Sequence, residues 1–115
     1  MSKGKHTITE VAQMVHKLAE DRGYHNPYIT GEFRPITIGD FCSSIIGEVS
    51  EFYDSYRKGQ IDPKELADVI IRVFDLAVVL GIDIEKEILE KHQYNVTRTD
   101  HSPEERRKPG GKKIL

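Results

Sequence analysis

The sequence has no tryptophan and a single cysteine, Cys42. One thiol excludes an intrachain disulfide and agrees with a reducing compartment. No apolar run approaches the ~20 residues that cross a bilayer. The opening stretch MSKGKHTITE lacks an apolar signal core. The expectation is a cytoplasmic protein with no membrane partner. Charge of neither sign dominates: 17 basic and 19 acidic residues leave a formal net charge of −2. No global field therefore draws the chain to nucleic acid. The basic run RRKPGGKK near the C-terminus adjoins Glu104 and Glu105, which weakens that reading further.

What is present is helical. At 115 residues the length prior expects a single domain, 1–115. Thr7 and Glu10 have capping-box spacing ahead of ITEVAQMVHKLAEDRG, with Gly23 as the stop. Ile8, Val11, Ala12, Val15, Leu18 and Ala19 form its apolar stripe. Residues 24–39, YHNPYITGEFRPITIG, read as a long structured loop: a substrate lid or a surface wrap. Asp40 is placed to cap a second helix ending at Gly59. Its broad apolar face runs from Phe41 and Cys42 through Ile45, Ile46, Val49, Phe52 and Tyr53 to Tyr56. Asp62 and Pro63 start a third helix that Gly81 ends. Asp83 precedes a fourth, with Ile84, Ile88, Leu89 and Tyr94 expected inside. The polar tail from Thr97 shows no helical period and reads as disordered. No strand is convincing, so the predicted class is all-α, a four-helix bundle-type domain.

Carboxylates interrupt this pattern. Glu48 and Glu51 on the second helix are spaced i, i+3, as are Glu65 and Asp68 on the third. Each pair occupies one side of one turn. Glu65, Asp68, Arg72 and Asp75 fall within roughly 80° of arc on a helix otherwise apolar nearly all round. A short connection joins the two helices, so antiparallel packing pools four acids. Acids that close repel and need a cation. Oxygen donors without nearby cysteine favour Mg²⁺ or Mn²⁺ over zinc. Spacing alone leaves a second reading open, in which the acids merely solvate exposed faces. Asp75 is either a further ligand or a partner of Arg72 or Arg57. His16, His25, His92 and His101 read as surface histidines, and Cys42 as a small buried residue. Phe33, Tyr24 and Tyr28 either stack on a base or anchor the loop.

Together, EVSEFYDSYRKG, a short gap and ELADVIIRVFDLAVVLGIDIEKEILEKHQYNVTR resemble the MazG-like family of all-α nucleoside triphosphate pyrophosphohydrolases. The matching pieces are Glu48 and Glu51, the ELAD of Glu65 to Asp68, and the turn Leu80 to Asp83. Lys91, Asn95 and Arg98 follow, then Gly110, Gly111 and Lys112. The resemblance covers residues 40–112. It implies Mg²⁺-dependent cleavage of a (d)NTP to monophosphate and pyrophosphate, with a housecleaning role in the nucleotide pool as one outlet. It further implies Glu48, Glu51, Glu65 and Asp68 as metal ligands, and Lys91, Asn95, Arg98 and Lys112 as contacts to phosphate or sugar. Glu48 or Glu51 is the expected catalytic base, and a dimer or tetramer the expected assembly. The alternative from a different class is a non-catalytic helical module for oligomerisation or partner binding.

Overall fold

The structure, a computed structural model, describes residues 4–26, 35–98, 100 and 102–111. Among them are helices α1 (Ile8–Asp21), α2 (Ile38–Arg57), α3 (Pro63–Val79), α4 (Ile84–Thr97) and α5 (Pro103–Arg107), and no strand. The all-α expectation holds. None of these helices is long and apolar enough to cross a membrane. The chain divides into two compact units, Met1–Ile84 and Glu85–Leu115.

In the first unit, α3 packs against both α1 and α2. Each helix starts where local chemistry satisfies its free amides. The Thr7 hydroxyl accepts from the Glu10 N–H, and the Glu10 carboxylate accepts from the Thr7 N–H, both at 3.0 Å. This reciprocal box lowers the Glu10 pKa, chiefly through its bond from the Thr7 backbone. A second box corrects the expected start of α2. Thr37, not Asp40, is the N-cap; Asp40 stands at N3 and bonds the Thr37 N–H at 2.9 Å. A threonine cap that is itself held by an acid three residues on satisfies two amides, where a lone Asp40 cap satisfies one. Asp62 caps α3 through the Lys64 N–H at 3.0 Å, and Pro63 occupies its first turn. Gly59 and Gly81 leave α2 and α3 with φ of 85° and 71°, the left-handed region that a β-carbon disfavours.

The burial pattern departs from a plain amphipathic scheme. Ala12, Ala19, Phe41 and Ala77 are the buried apolar residues among those described. Ile46, Val49, Tyr53 and Tyr56 of α2 are exposed, and so are Leu66, Ile70 and Ile71 of α3. The expected stripe of α1 loses Leu18 to solvent, and Cys42 is exposed rather than buried. The α2 residues turned toward the protein are Phe41, Ser44, Ile45, Glu48, Phe52 and Ser55. Of the predicted α2 face, Phe41, Ile45 and Phe52 are turned inward, while Cys42, Ile46, Val49, Tyr53 and Tyr56 are exposed, because the wheel was centred on apolar content. The packed half also carries the polar groups that meet α3.

In the second unit, α4 has no buried residue; Ile88, Leu89 and Tyr94 are exposed. The tail holds α5, which its composition did not suggest. Ser102 accepts from the Glu105 N–H at 3.2 Å, a proline opens the helix, acids fill its first turn and arginines its last. Caps and dipole complementarity account for this single turn without an apolar period.

Replacing Thr7 or Thr37 by alanine removes one capping box each. Chemical denaturation of each variant should show a loss of about 1 kcal/mol. Unchanged stability in both would contradict the capping account.

Candidate active site

Glu48 lies on the inner side of α2, with buried Phe41 two turns and half-buried Ile45 one turn before it. Its side chain is 14% exposed, and its Oε1 accepts from Arg72 Nε of α3 at 3.0 Å. One turn on, Glu51 remains solvent-exposed. Across the seam, Glu65 accepts from the Ser55 hydroxyl at 3.2 Å, which fixes α2 to the start of α3. Asp68 lies one turn along α3 and is exposed.

These acids share one field. The Glu51 pKa is raised above its ordinary 4.5, first by the Glu48 charge, then by desolvation and a hydrogen bond with Glu48, and also by the charges of Glu65 and Asp68. Exposed charges in salt are screened beyond about 10 Å, so Glu65 and Asp68 of α3 lie within that range of Glu51. Arg72 is a nearby cation, and a single guanidinium does not neutralise four carboxylates. The donors are all oxygen and partly open to solvent, a chemistry suited to a hard divalent ion such as Mg²⁺ or Mn²⁺. Among the described residues no three of these carboxylates bring ligand atoms within 4.8 Å of one another.

A cavity of about 250 Å³ opens beside the seam. Glu48, Asp68, Arg72 and Asp75 line its polar side; Ala19, Tyr24 and Ile71 line the rest. Tyr24, the first residue of the predicted loop, thus reaches the site. Tyr28, Phe33 and the remainder of the candidate lid, 27–34, lie outside the described residues, as do His101 and Lys112.

Asp75 does not pair with Arg72 or Arg57. It is 6% exposed and bonds two histidines, His16 of α1 and His25 just beyond it. Both are part-buried, not surface residues. Sequence reasoning missed them because the three residues share no local motif: 59 and 50 positions separate the histidines from Asp75. The usable signal was an aspartate on the most apolar helix, which demands partners from elsewhere.

Lys91, Asn95 and Arg98 belong to the second unit. Lys91 Nζ and Arg98 Cζ lie 4.7 and 5.2 Å from the centre of the Tyr94 ring, so one aromatic face gathers both cations. Arg98 also donates two bonds to Asp100, at 2.8 and 2.7 Å, which raises its already high pKa.

Sequence comparison adds the kinship. A dATP/dGTP diphosphohydrolase of cyanophage S-2L is 33% identical over 90 residues, spanning 78% of this chain and 70% of the relative. The chain belongs to the family of that diphosphohydrolase. No family model matches the chain, and no solved structure matches it significantly.

The raised Glu51 pKa has a thermodynamic consequence. Folding tightens this group's hold on its proton, so its contribution to stability is fullest below pH 4.5. That contribution is lost as pH rises through the higher folded value. Without divalent ions, Glu51→Gln should melt above wild type at neutral pH, and the gap should close as pH falls below 4.5. A variant that melts below wild type at neutral pH would contradict the crowding of these acids.

Proposed function

We propose that the protein is a MazG-like nucleoside triphosphate pyrophosphohydrolase dependent on Mg²⁺, with Mn²⁺ as a substitute. It would convert a (d)NTP to the monophosphate and pyrophosphate. The observation that carries this reading is that Glu48 and Asp68 line an open cavity, while the pKa of Glu51 is raised first by the Glu48 charge and also by the charges of Glu65 and Asp68. The relative's named substrates, dATP and dGTP, make purine deoxynucleotides the first candidates. Removing such nucleotides from the pool is a housecleaning role this chemistry would serve.

In this reading the four carboxylates hold the ion. Bound there, it supplies charge neutralisation for the triphosphate and lowers the cost of deprotonating water. Glu48 is engaged by Arg72, which leaves Glu51 as the base. Glu51 takes a proton from water as the water oxygen bonds to the α-phosphorus. The α–β bridging bond then breaks, and pyrophosphate departs with its electron pair. Arg72 lines the cavity and offers its remaining N–H groups to phosphate oxygens. Lys91, Asn95, Arg98 and Lys112 are the further proposed contacts to phosphate or sugar. For Arg98 this means exchanging Asp100 for phosphate oxygens.

The exposed faces of α2 and α3 support a homo-oligomer, a dimer or tetramer. Ile46 is 66% exposed and Tyr53 59%, and a contiguous apolar face of this kind gains from being covered. The assembly is proposed beside catalysis, not in place of it.

Two measurements test these readings. Incubation with each common (d)NTP and Mg²⁺ should release pyrophosphate and nucleoside monophosphate, with chelation abolishing it. Glu51→Gln and Asp68→Asn should each lower kcat by about 100-fold or more. Silence across the nucleotide panel, or wild-type rates in both variants, would reject the enzyme. For the assembly, light scattering after gel filtration should give a multiple of the 13.2 kDa chain mass, reduced in Ile46→Glu. A monomeric wild type would reject it.

A further inference from the structure

Asp75 poses a problem the carboxylate seam does not solve. It is a buried acid whose hydrogen-bond partners among the described residues are two imidazoles. His16 Nδ1 lies 2.8 Å from Asp75 Oδ1, and His25 Nε2 lies 2.9 Å from Oδ2. One ligand atom from each residue falls within 4.8 Å of the others. Two nitrogens and one oxygen form a borderline donor set, unlike the all-oxygen seam. We propose that His16, His25 and Asp75 form a second metal site, selective for a divalent transition ion such as Zn²⁺.

The geometry needs little adjustment. Nitrogen and oxygen ligands sit ~2.0–2.1 Å from zinc, which puts tetrahedral neighbours roughly 3.3 Å apart. Opening the nitrogen–oxygen distances by about half an ångström admits the ion. In the bonds to the Asp75 carboxylate these two nitrogens carry the protons, so an ion takes their place only as each proton is released or moves to the other ring nitrogen. For His16 that nitrogen is Nε2, already 3.6 Å from Glu20 Oε2. A carboxylate behind a ligating histidine fixes its tautomer and strengthens it as a donor. His25 is fixed differently. Its ring lies 5.3 Å from that of His16 and 5.9 Å from Phe41, and its carbonyl accepts from the Ile36 N–H at 2.8 Å. Three protein ligands leave a fourth position for water or for an atom of a molecule in the cavity that Asp75 also lines. Occupation would link α1, the following turn and α3 through one ion.

This site stands apart from the hydrolase reading, and the two fail separately. The test uses metal-stripped full-length protein in excess Mg²⁺, which occupies the oxygen donors. Calorimetric titration with Zn²⁺ should show about one ion per chain. Affinity should fall at least ~10-fold in His16→Ala and in His25→Ala, and be kept in Glu51→Gln. Co²⁺ in place of Zn²⁺ should give the intense visible bands of four-coordinate cobalt, lost in the same histidine variants. His25→Gln keeps an N–H donor for Asp75 but is a poor ligand, so it decides the matter if an alanine variant fails to fold. Loss of Zn²⁺ uptake in His25→Gln supports the site. Uptake equal to wild type in that variant, uptake lost in Glu51→Gln but kept in the histidine variants, or no uptake by wild type would overturn it.

Discussion

Repulsion between carboxylates across the seam of α2 and α3 is the constraint on which the rest of the first unit depends. Four acids placed this close raise the proton affinity of Glu51 and leave Arg72 to offset what it can. Such an arrangement costs stability in the bare chain. It persists because the helices bearing it are anchored elsewhere. Ser55 ties α2 to Glu65, Asp62 and Pro63 fix where α3 begins, and α1 packs on α3 from another side. These contacts hold the acid-bearing sides of α2 and α3 next to each other.

The same helices leave part of their apolar surface in solvent, because the inner side of each is shared between apolar and polar residues. On α3 the polar arc of Glu65, Arg72 and Asp75 is turned inward, while Leu66, Ile70 and Ile71 face solvent. On α2, Glu48 and Ser55 are turned inward, with Ile46, Val49, Tyr53 and Tyr56 outside. A second copy of the chain is the proposed cover for these faces, beside the proposed catalysis at the seam.

Much of this was legible in the sequence. Helix number through α4, the Thr7 box, the Asp62–Pro63 start and the glycine stops all rest on local chemistry that a linear string contains. The packing of α2 on α3 was legible too, because a short connection leaves antiparallel neighbours little choice. What failed was long-range or partner-dependent. The inner face of α2 was only partly assigned: Phe41, Ile45 and Phe52 lie on it, but apolar content as the guide to burial missed Ser44, Glu48 and Ser55 beside them. Asp40 was read as a cap because the threonine three residues before it lay inside an apparent loop. Helix α5 escaped because one capped turn has no period to detect. The histidine pair on Asp75 joins residues far apart in the chain, and nothing local marks it.

The convergence of Glu48, Glu51, Glu65 and Asp68 on one ion is open to direct observation. Carbon-13 NMR of the side-chain carboxyl groups during a Mg²⁺ titration reads each acid separately. Convergence requires all four resonances to shift along a common saturation curve, with Asp75 unmoved because its donor set suits a softer ion. Shifts confined to one helix, or four curves with unrelated midpoints, would mean that the acids never shared an ion.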